Sequence, residues 1–107
     1  MNRVTATELA EMLASEKPPR LLDVRQIEEH QFAALPNSRL IPLHELESRV
    51  EELRDWINES IIVYCHHGIR SAHAIGFLQM AGFKELRNLS GGIDAWSIEV
   101  DPTLPRY

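Results

Sequence analysis

The sequence has a single cysteine among its 107 residues, so no disulfide can form within the chain. The fold must therefore be stabilised by packing, and a lone thiol is typical of a reducing compartment. Basic residues are also few, because 11 Lys and Arg stand against 16 Asp and Glu and give a formal net charge of -5 at pH 7. This balance provides no basic surface for nucleic acid or for an anionic membrane.

Long apolar runs are missing as well. No stretch approaches the roughly 20 apolar residues that are needed to cross a bilayer. The first 13 residues form an amphipathic pattern without the apolar segment of a signal peptide. We therefore expect a cytoplasmic protein that contacts neither nucleic acid nor membrane.

Length and composition predict one domain covering residues 1–107. Hydrophobic residues make up 44% of the chain, which is enough for a single core. The sequence contains no internal repeat, low-complexity segment or flexible linker at which it would divide. A second domain is therefore not expected.

Short apolar runs alternate with helical patterns, which favours an α/β fold with a small parallel sheet and helices on both faces. The predicted strands are residues 20–24, 39–43, 60–64 and 86–89, and the predicted helices are residues 6–14, 26–35, 46–57, 71–80 and 93–98. The run SIIVY at 60–64 is the most strand-like and is placed at the centre of the sheet. Gly82 is expected to cap a helix, Gly91 and Gly92 to form a tight turn, and residues 100–107 to lie extended on the surface.

The cysteine lies where this predicted central strand ends, in the segment IVYCHHGIRSAH. Ligands of parallel sheets bind at the carboxyl ends of strands, and the backbone N–H groups of residues 66–71 can converge at the start of the following helix. Such donors, with Arg70 as a nearby cation, favour a thiolate at Cys65, and Gly68 lets the backbone approach the sulfur. The alternative is that Cys65 is a small buried hydrophobic residue at a strand end.

The length of the loop after Cys65 bears on its chemistry. Protein tyrosine phosphatases and arsenate reductases also place a cysteine between a strand and a helix, but they have one more residue between the cysteine and the arginine. Here four residues, His66, His67, Gly68 and Ile69, separate Cys65 from Arg70. A tetrahedral phosphate needs a wide loop, whereas one terminal sulfur on a cysteine needs a narrower one. The loop therefore favours a persulfide over a phosphocysteine.

Three motifs together resemble the rhodanese-like sulfurtransferases. They are CHHGIRS at 65–71, LLDVRQIEEHQFAALPNSRLIPL at 21–43 and LSGGIDAW at 89–96. The resemblance covers nearly the whole chain, and the ending GGIDAWSIEVDPTLPRY is especially similar to rhodanese domains fused to ubiquitin-activating-like adenylyltransferases. The sequence departs from the family at Ala33 and Ala34, where Gly-His is common, and at Asn37, where glycine is common.

The resemblance implies a two-step sulfur transfer in which Cys65 is the nucleophile and carries a persulfide. The donor would be a small anion such as thiosulfate, and the acceptor would be cyanide, a thiol or a partner protein. Arg70 would orient the donor, and the implied substrate-binding residues are His66, His67, Gly68, Ile69, Arg70 and Ser71. No metal or organic cofactor is expected. An alternative with the same fold is a sulfur-relay or regulatory module whose substrate is another protein.

Asp23 and Arg25 are candidates for a supporting role at the end of the first predicted strand. Arg25 could bind the anion as a second ligand, but we favour a structural ion pair with Asp23 or Glu28 that fixes the loop. The acidic residues of the third predicted helix are interpreted as its solvated side, with a docking surface for a basic partner as the alternative. They are Glu45, Glu47, Glu51 and Glu52.

The histidines after Cys65 are expected to contribute backbone amides while their side chains face solvent, although they could act as weak acids or bases. Cys65, His66, His67 and His73 are all potential metal ligands. Adjacent residues in a tight loop rarely converge on one ion, so we do not expect a metal site. Trp56 and Trp96 are interpreted as packing residues.

Overall fold

Five parallel strands form the sheet on which the rest of the chain packs. The structure is a computed structural model that describes residues 2–107. The strands are β1 (Arg3–Val4), β2 (Arg20–Asp23), β3 (Arg39–Leu40), β4 (Ile61–Tyr64) and β5 (Leu86–Leu89). Their spatial order is β1-β5-β4-β2-β3, and each neighbouring pair is parallel. This arrangement confirms the predicted parallel α/β sheet with β4 at its centre.

Helices connect the strands. They are α1 (Ala6–Leu13), α2 (Ile27–Phe32), α3 (Leu46–Arg49), α4 (Ile69–Met80) and α5 (Gly92–Glu99), with 3₁₀ segments at Leu43–Glu45 and Val50–Trp56. Thr5 caps α1 in the predicted capping box with Glu8. Gly82 follows α4 with a φ of +100°, the left-handed conformation expected of a glycine that caps a helix, and Asn37 also has a positive φ of +59°. No helix within residues 2–107 is long and apolar enough to cross a membrane.

Alternate residues of β4 face opposite sides of the sheet and divide the core in two. Ile61 and Val63 pack on one side with α4, together with Cys65 directly after the strand, whereas Ile62 and Tyr64 pack on the other side with α1 and α5. All five are buried, and each apolar side chain of this size contributes about 1.5–3 kcal/mol when it is removed from water. The two-residue period of the strand therefore determines that the Cys65 side chain points toward the α4 layer.

The segment predicted as one helix at 46–57 is mostly a 3₁₀ helix and not an α-helix, but it buries the predicted apolar face. Only its first turn is α-helical, and the rest is 3₁₀. Leu46 and Leu53 are still buried, so the apolar face is the predicted one. The 3₁₀ geometry aligns residues three apart, which suits the ion pairs Arg49–Glu52 and Glu51–Arg54. These pairs occupy part of the acidic surface.

Other features also differ from the prediction. Strand β3 ends at Leu40 and not at residue 43, which begins a 3₁₀ segment. Strand β1 was not predicted, because two residues carry no recognisable period. Helix α2 ends at Phe32 and not near residue 35, since Ala33 is extended and Pro36 disfavours a helical residue before it. The tail is not simply extended on the surface, because it turns at Asp101 and its last residue stacks on His66.

The double glycine at the start of α5 provides a stability test. Gly91 and Gly92 both have positive φ, and a Cβ on Gly92 would overlap the carbonyl oxygens of Cys65 and His66. Gly92→Ala should therefore lower the free energy of unfolding by roughly 2–5 kcal/mol, through backbone strain plus overlap. Gly76 lies in α4 with open space around it, so Gly76→Ala should raise the same quantity by about 0.5–1 kcal/mol. Urea denaturation of both variants measures this, and equal effects would contradict the assigned close contact.

Candidate active site

Cys65 follows β4 directly, and its sulfur accepts hydrogen bonds from the loop that leads to α4. The N–H of Gly68 lies 3.0 Å from Sγ and the N–H of Ser71 lies 3.4 Å from it. Gly68 caps α4 with a φ of +114°, a conformation that other residues rarely adopt. The cysteine is buried at 1% exposure, yet its sulfur faces polar donors at a helix N-terminus and not aliphatic neighbours alone. These contacts favour a negatively charged sulfur.

A second set of contacts fixes Ser71. Its Oγ lies 3.4 Å from Sγ and donates to Oδ1 of Asn88 at 2.6 Å, while Nδ2 of Asn88 donates to the carbonyl of Gly68 at 3.0 Å. Ser71 and Asn88 are both buried. Because the hydroxyl hydrogen of Ser71 is used by Asn88, the hydrogen bonds that the Cys65 sulfur accepts come from the two backbone N–H groups. Asn88 thus joins β5 to the loop at Gly68 and to the first turn of α4 at Ser71.

The start of α5 supports the loop from the other side. The N–H of Ile93 donates to the carbonyl of Cys65 at 2.9 Å, and the N–H of Asp94 donates to the carbonyl of His66 at 3.3 Å. This approach requires that Gly92 has no side chain. The LSGGIDAW motif therefore contributes backbone donors and a close contact to the site.

Arg70 interacts electrostatically with the Cys65 sulfur but is already paired with a carboxylate. Its two terminal nitrogens bind the Glu29 carboxylate at 2.6 and 2.9 Å. These hydrogen bonds lower the pKa of Glu29 to about 2 and raise the pKa of Arg70, to which the nearby Cys65 sulfur also contributes. The expected cation is therefore present, with its charge largely balanced by Glu29.

Arg25 forms its ion pair with Asp23 and not with Glu28. Its Nε and one terminal nitrogen bind the two carboxylate oxygens at 2.9 and 2.7 Å, and both residues are fully buried. The remaining N–H groups donate to the carbonyls of Ala33 and Glu29 and to the Tyr107 hydroxyl. All five guanidinium donors are thus engaged, which supports the structural interpretation over anion binding.

The two histidines behave differently. His67 is exposed, as expected, but the prediction is wrong for His66, whose ring lies between those of His67 and Tyr107 with centroids 4.0 Å apart on each side. Nε2 of His66 is buried without a hydrogen-bond partner among residues 2–107. Burial lowers the pKa of His66, and the neighbouring His67 lowers it further. The imidazole is therefore neutral at pH 7 and acts as a packing surface for the tail.

The structure groups His66 and His67 with Asp94, and potential ligand atoms of the three lie within 4.8 Å of one another. This group differs from the four potential ligands considered from the sequence, since it contains Asp94 and lacks Cys65 and His73. The two imidazole planes are stacked within 18° of parallel, so one ion cannot lie in both planes. Asp94 also binds Arg106 at 2.8 Å. We therefore assign no metal to this cluster.

Three residues of the site were not anticipated. Glu29 carries a weak signal, because an acidic residue in the first turn of a helix can accept from the backbone N–H of the residue before the helix, as Glu29 does from Gln26 at 3.0 Å. Asn88 and Tyr107 carry none, since a polar residue in a short strand and an aromatic residue in a loop have many explanations. Trp56 and Trp96 are buried packing residues, as expected.

Comparison with known proteins gives a consistent family assignment. The model of the rhodanese-like domain matches residues 5–99. The adenylyltransferase and sulfurtransferase MOCS3 of Arabidopsis thaliana is 32% identical over 99% of this chain and 26% of its own length. The putative sulfur carrier protein YrkF of Bacillus subtilis is 39% identical over 78% of this chain and 44% of its own.

Solved structures agree. A rhodanese-like domain protein from Staphylococcus aureus superimposes with a TM-score of 0.85 at 31% identity, and the match covers 100% of this chain and 99% of that one. By contrast, the chain spans less than half the length of the two curated relatives described above. Similarity to those proteins therefore concerns one part of each of them.

The buried ion pair gives a second prediction. Asp23→Asn would leave the Arg25 guanidinium buried with a neutral partner, so the free energy of unfolding should fall by about 3–5 kcal/mol. The control is Glu59→Gln, which breaks the exposed Arg20–Glu59 pair and should cost less than about 1 kcal/mol. Urea titrations followed by circular dichroism measure both. A loss at Asp23 no larger than at Glu59 would contradict the structural role.

Proposed function

Because the chain belongs to the rhodanese-like domain family, we propose that it is a sulfurtransferase that carries sulfur as a persulfide on Cys65. The observation that supports this most directly is the donation of the Gly68 and Ser71 N–H groups to the Cys65 sulfur. Donors placed at this point stabilise a thiolate and, after transfer, a persulfide anion. We also propose that residues 1–107 act as one rhodanese-like domain.

In the first step the Cys65 thiolate attacks the outer sulfur of a sulfane donor such as thiosulfate. A sulfur–sulfur bond forms at Cys65, and the bond from the outer sulfur to the sulfonyl sulfur breaks. Its electron pair leaves with sulfite. Charge balances, since a thiolate and a thiosulfate dianion give a persulfide anion and a sulfite dianion.

In the second step a nucleophile such as cyanide or a thiolate attacks the outer sulfur of the persulfide. The sulfur–sulfur bond breaks, and its electron pair returns to Cys65 as thiolate. Both steps close without an external oxidant, reductant or metal, so the chemistry needs no cofactor. The chain would contribute the nucleophile, the loop amides of residues 66–71, and the Arg70 guanidinium.

Phosphoryl transfer is disfavoured by the same loop. Only four residues separate Cys65 from Arg70, and Ser71 is already tied to Asn88 across the loop. Both features limit the opening around the sulfur. A single added sulfur atom fits such a loop better than a phosphate with three equatorial oxygens does.

A protein acceptor is the second candidate function, and exposed apolar side chains near the site favour it. Ile69 within the loop is 74% exposed, and Phe32 and Tyr107, which contact each other edge to face, are 54% and 45% exposed. The names of the two curated relatives described above refer to sulfur transfer and sulfur carriage. We propose that these side chains contact a sulfur-accepting protein during transfer.

Sulfur loading tests the proposed chemistry. After incubation with excess thiosulfate and removal of the donor, the wild-type chain should gain the mass of one sulfur atom. Cys65→Ser should gain none, because an alcohol is not ionised near neutral pH and cannot replace the thiolate. Intact-mass spectrometry measures both proteins. A wild-type chain that stays unmodified with every sulfane donor tried would contradict the proposal.

Acceptor choice separates the two candidates. Phe32→Ser should slow transfer from the loaded chain to the cysteine thiolate of an acceptor protein by on the order of tenfold, because an apolar contact in the interface is lost. Turnover with cyanide should change less than about twofold, since cyanide needs no such contact. The control is Met80→Ser, because Met80 is 90% exposed at the far end of α4. Equal slowing in both variants, or none in Phe32→Ser, would contradict a docking role for Phe32.

A further inference from the structure

The arginines around the Cys65 loop are balanced by carboxylates. Each of three makes two contacts to one carboxylate, in the pairs Arg25–Asp23, Arg70–Glu29 and Arg106–Asp94. Of these, Arg70 belongs to the loop itself and interacts electrostatically with the Cys65 sulfur. The guanidinium that a doubly charged donor would meet is therefore already neutralised by Glu29.

Glu29 is placed firmly in this position. Its Oε1 also accepts from the backbone N–H of Gln26 at 3.0 Å, and its Oε2 accepts from the Tyr107 hydroxyl at 2.7 Å. The side chain is only 20% exposed, and that of Arg70 is 33% exposed. These contacts oppose any swing of the carboxylate away from Arg70. The hydrogen bond from Arg70 lowers the pKa of Glu29, so the carboxylate stays ionised through the neutral range.

We propose that Glu29 is a positioning residue that sets donor specificity: by occupying Arg70, it lowers the reactivity of Cys65 with doubly charged sulfur donors relative to singly charged ones. This inference rests on the sulfur transfer proposed above. A dianion that approaches the loop meets the carboxylate as well as the guanidinium, whereas a monoanion is repelled about half as strongly. Because the Glu29 and Arg70 side chains are only 20% and 33% exposed, part of this difference stays unscreened at ordinary salt.

Two donors that differ by one charge make the effect measurable. Thiosulfate is a dianion with sulfite as its leaving group, and methanethiosulfonate is a monoanion with methanesulfinate as its leaving group. In both cases the Cys65 thiolate bonds to the outer sulfur while the bond to the sulfonyl sulfur breaks, and its electron pair goes to the leaving group. The chemistry at Cys65 is the same for both donors, so the ratio of their kcat/KM values reports on charge.

The test variant is Glu29→Gln, which removes the charge but keeps an oxygen for the Gln26 N–H, since glutamine also fits a capping box. We expect kcat/KM for thiosulfate to rise on the order of tenfold and that for methanethiosulfonate to rise about threefold. The matched control is Glu28→Gln, which removes the same charge from the exposed preceding residue without touching the Arg70 pair. Its donor ratio should stay within about twofold of wild type.

A second variant, Glu29→Met, removes the charge of Glu29 together with its side-chain hydrogen bonds. It provides an independent neutral variant in case Glu29→Gln does not fold. The inference is overturned if folded variants lose activity with both donors, if both donors respond equally, or if Glu28→Gln shifts the ratio as much as Glu29→Gln. Sulfur loading of the wild-type chain distinguishes failure of the Glu29 inference from failure of the proposed sulfur transfer. A wild-type chain that accepts sulfur from neither donor contradicts the proposed function itself, whereas loading with an unchanged donor ratio contradicts only the role of Glu29.

Discussion

The hydrogen bonds from the Gly68 and Ser71 N–H groups to the Cys65 sulfur impose the main constraint on this structure. For both donors to reach one atom, β4 must end at Tyr64, residue 68 must have positive φ, and α4 must begin at Ile69. The sulfur must also point to the α4 side, which the two-residue period of β4 determines. The loop, the helix start and the strand register thus depend on one another.

Contacts from three sides fix the conformation of the loop at 66–71. Asn88 of β5 fixes Ser71 and Gly68, and the start of α5 donates to the carbonyls next to the sulfur. On the third side, Tyr107 stacks on His66 and bonds to Glu29 and Arg25, which joins the tail to α2 and to the buried pair with Asp23. A loop with so few alternative positions pre-organises its donors and so avoids a reorganisation cost during transfer.

Much of the fold follows from local sequence signals. The run IIVY predicts a buried central strand, the helical spacing of apolar residues predicts α1 and α4, and Gly68 and Gly82 predict left-handed backbone. The two-residue strand β1 is too short to show a period, and the apolar spacing at 46–57 does not distinguish a 3₁₀ helix from an α-helix. The folded tail could not be predicted because it depends on contacts with residues distant in sequence. The same reason applies to Asn88 and Tyr107. The pairing of Arg70 with Glu29, 41 residues apart, likewise has no local signature.

The most direct measurement for the central claim is a crystal structure of the thiosulfate-treated protein. The account predicts a second sulfur bonded to Cys65 Sγ and lying within about 4 Å of backbone nitrogens of the loop at 66–71, with the loop conformation unchanged. An added sulfur directed away from those amides, or a loop that opens to admit it, would contradict the claim that these donors stabilise the persulfide.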